Sequence, residues 1–206
     1  YNKRFLLCGQ TCDALKRLIV HESLFNDVVG KVKEKIESKV VGDPEDEKTD
    51  LGSLVAKRQV ELLESQVADA VSKGALVITG GGRPENLAGA YYLPTILTKV
   101  TPEMRVWQEE VFGPVLVVVP FKTEEEAIKI ANETIYGLGS LVFTVDKQRA
   151  QRVASRLESG TVEINGASHW LTCNPFGGYK QSGMGREHGK EGFRELCQIK
   201  VISMEK

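Results

Sequence analysis

The stretch PVLVVVPF, residues 114–121, decides the class of fold. Apolar residues follow one another here without polar alternation, so a strand over this stretch must be buried on both faces. Such a strand lies in the interior of a sheet whose two faces are covered by helices. The sequence therefore predicts a central, buried strand at 114–121.

Strand and helix patterns alternate on both sides of this stretch. Runs of β-type residues predict strands at 16–21, 75–79, 139–145, 161–165 and 200–204, with an extended segment at 91–100. Helical periodicity and capping residues predict helices at 23–39, 56–73, 123–132 and 146–159, and a short helix before the last strand. Alternating strands and helices are typical of the α/β class, so we expect an open, mostly parallel, twisted sheet with flanking helices.

The composition excludes several classes of protein. The chain has 206 residues, of which 41 % are hydrophobic and 27 % are charged, and its net charge is −1. A chain of this length forms one domain or one and a half, and its charge provides no field for nucleic acid or an anionic membrane. No apolar run approaches the ~20 residues of a membrane helix. With no signal peptide visible, we expect a cytoplasmic protein without nucleic-acid or membrane partners.

The four cysteines, Cys8, Cys12, Cys173 and Cys197, are too few for a disulfide scaffold, which favours reduced thiols. A zinc site needs paired Cys or His residues at short spacings. Neither Cys173 nor Cys197 has a close thiol partner, and His169 alone lies near Cys173. The sequence therefore predicts plain thiols and no metal site.

Cys12 follows the tripeptide Gly9-Gln10-Thr11 and precedes an apolar run. A nucleophilic cysteine needs exposure, a lowered pKa or a nearby base, and amide donors for an oxyanion. A buried packing thiol is the more frequent reading of a cysteine before a strand. The residues of this stretch alone leave both readings open.

Two further loops carry unusual combinations of residues. The sequence WQEEVFGPV, residues 107–115, places two adjacent carboxylates beside a turn that leads into the buried strand. Either one of them faces a cleft or the turn is simply solvated. The sequence NPFGGYKQSGMGREHG, residues 174–189, has glycines that permit tight turns near a ligand or another segment. Catalytic groups of open α/β sheets collect in loops beyond the strand ends, so both loops are candidates for a site.

Four motifs resemble signatures of the aldehyde dehydrogenase superfamily, and they occur in the same order. They are GQTC (9–12), EEVFGP (109–114), IANETIYGL (130–138) and PFGGYKQSGMGRE (175–187). The resemblance covers the chain from Gly9 onward and is to the C-terminal, catalytic part of these enzymes. It implies a Rossmann-like catalytic domain over residues 1–199, truncated at its N-terminal side, and an oligomerisation strand over 200–206.

The resemblance also implies roles for individual residues. Cys12 would attack an aldehyde to give a thiohemiacetal, its backbone amide would hold the oxyanion, and water would later hydrolyse the thioester to a carboxylic acid. The implied cofactor is NAD or NADP, with Glu110 on the nicotinamide ribose and Phe112 beside the nicotinamide ring. The residues implied to contact or enclose the substrate are Thr11, Asp13, Asn165, Trp170 and Phe176.

Several parts of the family pattern have no match in this sequence. They are the cofactor-binding domain, the Glu-Leu-Gly-Gly signature with its general base, the upstream oxyanion Asn and the oligomerisation hairpin. We therefore expect the chain by itself to be inactive, and to form a homo-oligomer through its C-terminal strand. Two other functions stay open: a non-catalytic assembly module of the same family, and a cofactor-independent esterase that forms a thioester. The identity of the aldehyde is also left open.

Overall fold

The structure is a computed structural model that describes residues 1–168 and 170–205. Its contacts divide the chain into two compact units, Tyr1–Ala131 and Asn132–Lys206, which are described separately below. This division is one of internal contacts, and the domain bounds 1–199 and 200–206 stay a prediction. No helix in the described ranges is long and apolar enough to cross a bilayer.

A four-stranded sheet forms the centre of the first unit. Its strands are β1 (Arg17–His21), β2 (Leu76–Thr79), β3 (Thr95–Thr98) and β4 (Val115–Phe121), in the order β1-β4-β3-β2. Strand β4 pairs in parallel with β1 and with β3, and β2 closes the far edge in the antiparallel direction. Every residue from Val115 to Val119 is buried, which confirms the mostly parallel sheet and the central strand.

Five α-helices of the described residues begin in this unit: α1 (Asn2–Phe5), α2 (Phe25–Glu37), α3 (Lys57–Ser72), α4 (Arg105–Gln108) and α5 (Glu124–Asn132). Two short 3-10 helices, Leu6–Gly9 and Glu22–Leu24, lie in the same unit. Helix α3 buries Val60, Leu63 and Val67, as its periodicity predicts. The same periodicity places Val71 on this face, but its side chain is 46 % exposed. The helix turns Gln66 inward instead, with only 1 % of its surface exposed, and this amide has partners in the loop before β4.

The start of α5 shows a modified capping box. The N–H of Glu126 donates to the Thr123 hydroxyl at 3.2 Å, as the sequence predicts. The Glu126 carboxylate accepts from the N–H of Lys122 at 2.8 Å, one residue before the expected donor. Both bonds satisfy N–H groups at or beside the start of the helix, which fixes where the chain leaves β4.

The second unit contains two short parallel strands, β6 (Gly139–Val142) and β7 (Thr161–Ile164), joined by helix α6 (Lys147–Ala154). The remaining elements are the antiparallel pair β5 (Tyr136–Gly137) and β8 (Tyr179–Lys180), and helix α7 (Gly189–Glu195). The predicted strand 139–145 ends early at Val142. The reason is that the Asn165 side chain bonds both the N–H and the C=O of Thr144, each at 2.9 Å, in place of a neighbouring strand.

Glycines bring main-chain segments of the second unit into direct contact. A Cβ atom added at Gly137 would collide with the carbonyl of Glu158, and one added at Gly160 would collide with that of Gly177. Gly177 is in the same position against the carbonyl of Gly185. We name Gly137, Gly160 and Gly177 the glycine contacts. Main chain packs on main chain at these points, so the loop from 174 to 188 is shaped largely without side chains between its turns.

The described residues of the C-terminal tail, 200–205, form no strand within the chain. The predicted strand at 200–204 is therefore not formed in the single chain, since it has no neighbouring strand with which to pair. Its apolar side chains are exposed, with Val201 at 83 % and Ile202 at 79 %. Pairing of this tail with a second copy stays a prediction.

Candidate functional site

Two of the predicted site loops lie at the same edge of the first sheet. Strands β1 and β4 are parallel and Arg17 is opposite Val117, so the segments that precede them, 9–16 and 109–114, enter the sheet side by side. This is the edge formed by the amino ends of the strands. In most open α/β sheets the ligand site lies at the carboxyl ends. The structure therefore brings the GQTC and EEVFGP motifs together, at the edge opposite to the usual one.

Cys12 is an exposed residue in a turn that the Ala14 N–H closes on the Thr11 carbonyl at 3.1 Å. Within the described ranges its own main-chain N–H donates to no protein acceptor, which leaves this donor available to a ligand. Cys8, by contrast, is buried, its thiol contacts the Gly52 carbonyl at 3.4 Å, and burial raises its pKa. Cys8 is thus the packing thiol of this segment and Cys12 is not.

The nucleophile segment rests directly on the second loop at Gly9. This residue has a φ of +70°, and an added Cβ atom would collide with the carbonyl of Gly113 and lie 2.8 Å from that of Arg4. Only glycine provides both the left-handed backbone and the missing side chain. Gly113 in turn packs against the side chain of Leu63 on α3.

Side chains hold the main chain of the EEVFGP loop at five successive carbonyl groups. We name the carbonyls of residues 109–113 the carbonyl row. Its donors, in chain order, are Lys16 to Glu109, Gln66 to Glu110 at 3.1 Å, Arg4 to Val111, Gln59 to Phe112 at 2.8 Å, and Arg4 again to Gly113. With the main chain held in this way, the orientation of the side chains at 110 and 112 is defined.

The two adjacent carboxylates of this loop have different environments. Glu109 accepts from Arg105 at 2.7 Å and from Gln66 at 2.9 Å, and the Arg105 guanidinium holds the pKa of its carboxyl below the usual range. Glu110 is exposed. The sequence left open whether one of the pair faces outward to a ligand. Glu109 is engaged by the scaffold and Glu110 is the exposed one of the pair, and its contact with a ligand stays a prediction.

Positive charge is buried beneath the loop. Arg4 is only 2 % exposed, and burial lowers its pKa to about 10. Burial, together with the nearby Arg17 and Arg4, lowers the pKa of Lys16 to about 7. Arg17 packs over the Trp107 ring at 4.0 Å and donates to the carbonyl of Ile130 at 2.7 Å. These cations face main-chain carbonyl dipoles, which are the compensating groups that the structure provides.

Sequence reasoning missed four residues of this arrangement: Arg4, Lys16, Gln59 and Gln66. Their partners lie far away in the sequence, and nothing in the local patterns marks a bond to a distant carbonyl. One signal was present, since Gln59 and Gln66 are two turns apart on α3 and so lie on one face of the helix.

The remaining predicted site residues of the first unit are Thr11, Asp13 and Phe112. Thr11 and Phe112 are partly exposed. The Asp13 carboxylate lies 3.6 Å from the ammonium group of Lys3, so the structure gives this side chain a partner within the protein. A substrate contact by Thr11 or Asp13 stays a prediction.

The other three predicted site residues belong to the second unit. The rings of Trp170 and Phe176 are 5.0 Å apart, and Trp170 is also 6.1 Å from the His188 ring in an edge arrangement. Trp170 is half exposed, whereas Phe176 is buried and bonds through its main chain to Glu187 in both directions. Asn165 has a left-handed backbone, and its side-chain amide binds the main chain of Thr144. The structure thus brings Trp170 and Phe176 together as an aromatic pair, and the substrate role of all three residues stays a prediction.

Residues able to hold a metal are not clustered in the described part of the chain. No group of three or more His, Cys, Asp or Glu side chains suited to a metal ion occurs among the residues searched. His169, which the sequence analysis considered beside Cys173, lies outside the described residues.

Known proteins resemble this chain over nearly all of its length. It is 46 % identical to the NADP(+) succinate-semialdehyde dehydrogenase of Deinococcus radiodurans over 94 % of the chain and 40 % of that enzyme. It is 44 % identical to the peroxisomal aminoaldehyde dehydrogenase 1 of Pisum sativum, covering 97 % of the chain and 40 % of that enzyme. A crystal structure of Staphylococcus aureus betaine aldehyde dehydrogenase in complex with NAD+ matches with a TM-score of 0.90 and 40 % identity, covering 94 % of this chain and 39 % of that one.

The chain thus spans about two fifths of the length of these relatives. The sequence model of the aldehyde dehydrogenase family matches residues 1–202. The match includes all four motifs, the sheet of the first unit and the loop of the second. This chain belongs to the aldehyde dehydrogenase family.

Proposed function

We propose that this chain supplies the catalytic thiol of an NAD(P)+-dependent oxidation of an aldehyde to a carboxylic acid. The observation that carries the proposal is the placement of Cys12. It is exposed, its own N–H is available, and its segment packs against the loop that presents Glu110. Membership of the aldehyde dehydrogenase family and the three relatives named above support the same chemistry.

Cys12 performs the covalent steps. Its sulfur forms a bond to the carbonyl carbon of the aldehyde, and the resulting oxyanion accepts a hydrogen bond from the Cys12 N–H. NAD(P)+, when bound, would supply the acceptor for the hydride that leaves the same carbon. The thioester that remains on Cys12 is cleaved by water, which releases the carboxylic acid and regenerates the thiol. A base for this water is not among the residues that the family resemblance identifies in this chain.

The first unit offers groups suited to the nicotinamide end of the cofactor. The exposed Glu110 carboxylate has two acceptor oxygens, which match the two hydroxyls of a ribose. The partly exposed ring of Phe112 offers a flat apolar surface for the nicotinamide. Both side chains project from the main chain that the carbonyl row holds in place. We assign these two residues to cofactor binding and leave the choice between NAD and NADP to experiment.

The second unit supplies the proposed substrate wall. Trp170 and Phe176 form an aromatic pair. Asn165 directly follows strand β7. We propose that these three residues contact the aldehyde, as the family resemblance implies. The free thiols are consistent with a reducing compartment, and we propose a cytoplasmic location.

Substitution of Cys12 in the natural protein that contains this segment tests the proposed aldehyde oxidation. Cys12→Ser should lower the rate of aldehyde-dependent NAD(P)H formation by about a thousandfold or more, because the nucleophile is lost. Cys197→Ser is the matched control and should leave the rate unchanged. Equal activity in Cys12→Ser and wild type would refute the proposal. Ester hydrolysis without cofactor, combined with no NAD(P)H formation, would favour the esterase instead.

The isolated 206-residue chain should bind NAD+ only weakly. We assign Glu110 and Phe112 to the nicotinamide end of the cofactor only, so most of the cofactor surface has no proposed contact in this chain. Calorimetry should therefore show no dissociation constant in the low micromolar range, which corresponds to about −8 kcal/mol. A micromolar constant that is lost in Glu110→Ala would show that this segment binds the cofactor by itself.

A further inference from the structure

The carbonyl row shows an uncommon way to hold a loop. Carbonyl groups in loops are usually satisfied by water, by the backbone or by an occasional side chain. Here five successive carbonyls all accept from side chains, and the four donor residues come from only two places in the fold. The position of each donor in the fold determines which segment the loop is attached to.

One pair of donors comes from the scaffold. Gln59 and Gln66 project from α3, with their amide nitrogens 2.8 Å and 3.1 Å from the carbonyls of Phe112 and Glu110. These amides are neutral, and they fix the loop to a long helix of the first unit. Their contribution is that of an ordinary structural clamp.

The other pair comes from the nucleophile segment. Arg4 precedes Cys12 and Lys16 follows it. The Arg4 guanidinium is charged, whereas burial lowers the pKa of Lys16 to about 7, so its amine is fully protonated only below that pH. Arg4 also donates to the Leu15 carbonyl at 3.2 Å, and the Leu15 N–H bonds the Lys3 carbonyl at 2.7 Å. The residues on the two sides of Cys12 are thus tied to each other as well as to the carbonyl row.

We propose that Arg4 and Lys16 are positioning residues that fix the main chain of Glu110 and Phe112 relative to Cys12. The thiol and the two proposed cofactor contacts then move as one body. The mechanical coupling stands on the contacts alone, and only its use in catalysis rests on the proposed function. Charged donors form stronger hydrogen bonds than neutral amides, so Arg4 contributes more to the coupling than its number of bonds indicates.

Burial limits the motion of the Arg4 and Lys16 side chains. Arg4 is 2 % exposed, and its guanidinium spans the carbonyls of Val111 and Gly113. Loss of Arg4 would remove the side-chain donor of the buried Val111 carbonyl, whereas the Gly113 carbonyl would keep the Val115 N–H at 2.8 Å. Loss of Lys16 would remove the side-chain donor of the partly buried Glu109 carbonyl. Gly9 adds a direct contact between main chains, because its α-carbon lies against the Gly113 carbonyl.

Hydrogen exchange and thiol alkylation together test the coupling. Lys16→Met keeps an unbranched side chain, one atom shorter, and removes the donor. Amide exchange in the peptide covering 109–113 should accelerate by about tenfold, the effect of losing one hydrogen bond that holds the loop. The rate of Cys12 alkylation by iodoacetamide should change by about threefold or more. Lys16→Arg should restore both values.

Two further variants separate coupling from general loosening. Gln66→Met should accelerate exchange in the same peptide but leave Cys12 alkylation unchanged, because it releases the loop from α3 only. Lys31→Met, at an exposed ion pair on α2, should change neither value. If Lys16→Met unfolds the chain, Arg4→Lys provides the test, because it keeps the charge and loses one of the two carbonyl contacts.

Two results would overturn the inference: unchanged exchange at 109–113 in Lys16→Met, or equal effects of Gln66→Met and Lys16→Met on Cys12. Neither readout needs cofactor or aldehyde. If the natural protein that contains this segment oxidises no aldehyde, the proposed function is refuted. The hydrogen-exchange and alkylation results would still decide whether the two segments are coupled. Where activity is present, Lys16→Met should raise the KM for NAD(P)+ more than it lowers kcat.

Discussion

Three of the four thiols, Cys12, Cys173 and Cys197, are exposed, so exposure alone does not select Cys12 for reaction. We predict that Cys12 nonetheless reacts fastest with iodoacetamide, because its position in the loop leaves a main-chain N–H to stabilise charge. Cys8 should react most slowly, since burial raises its pKa. Peptide mapping after brief labelling measures all four rates. Faster labelling of Cys173 or Cys197 in the folded protein would contradict the prediction.

Lys16 should make stability depend on pH. Its pKa falls from 10.5 to about 7 on folding, so between these values the unfolded chain binds a proton that the folded chain does not. The free energy of unfolding should therefore rise with pH between about 7 and 10.5. Below pH 7 both states hold the proton, so Lys16 causes no further change of stability with pH. Arg17, Arg4, Glu110 and Glu109 are the charged groups around it.

The measurement compares the urea unfolding of wild type and Lys16→Met at two pH values within this range. Between pH 7 and about pH 9, wild type should gain about 1–2 kcal/mol relative to the variant, because one proton is linked to unfolding. Lys31→Met, at an exposed site, should follow wild type. A parallel response of wild type and Lys16→Met would show that Lys16 has an ordinary pKa in the folded chain.

Residue-level predictions from sequence were strongest where a motif is local. The GQTC motif identified Cys12, and the structure places Cys12 at an exposed turn beside the EEVFGP loop. The carbonyl row was not predictable, because its bonds join residues 44 to 109 positions apart and their acceptors are main-chain groups. Local sequence patterns consist of side-chain types at short spacings, and they contain no information about a carbonyl group that is distant in the sequence.

Helix α6 depends on its first cap. The Asp146 carboxylate accepts from the N–H groups of Gln148 at 2.9 Å and Arg149 at 3.1 Å, and these bonds lower its pKa. Asp146→Ala should reduce the local stability of the helix by about 1 kcal/mol, while Asp146→Asn keeps an acceptor and loses little. Hydrogen exchange over Lys147–Ala154 measures the difference. Identical exchange in both variants would show that the cap contributes nothing.

The elements themselves were mostly predictable, and their ends were not. Apolar continuity identified β4 as central, and helical periodicity located α2 and α3 to within a few residues. Helix α6 was expected to extend to Ser159 but ends at Ala154. The ends depend on bonds between segments, such as the one from Asn165 to Thr144, that periodicity does not contain.

At the scale of the whole molecule, the exposed tail determines how the chain behaves in solution. Leu196, Ile199, Val201, Ile202 and Met204 are all at least 79 % exposed. An apolar, unpaired segment of this kind favours strand addition from another copy. We therefore predict a homo-oligomer, in keeping with the assembly strand that the family resemblance implies.

Light scattering measures the mass directly. Wild type should exceed the monomer mass of 22.7 kDa, and Ile202→Lys should shift the mass toward that value. Val145→Lys changes a fully exposed apolar residue away from the tail and is the matched control. A constant mass near 22.7 kDa for wild type over a wide range of concentration would show that the tail does not associate.

The glycine contacts of the second unit have a practical consequence for redesign of substrate preference. A mutant library over Gly160 and the loop that contains Phe176 should lose every variant that alters Gly160 or Gly177, because a new side chain there displaces a neighbouring peptide. Diversity is better placed at exposed positions such as Trp170 and Leu171. Selection experiments on this segment should therefore recover invariant glycines among freely changing neighbours.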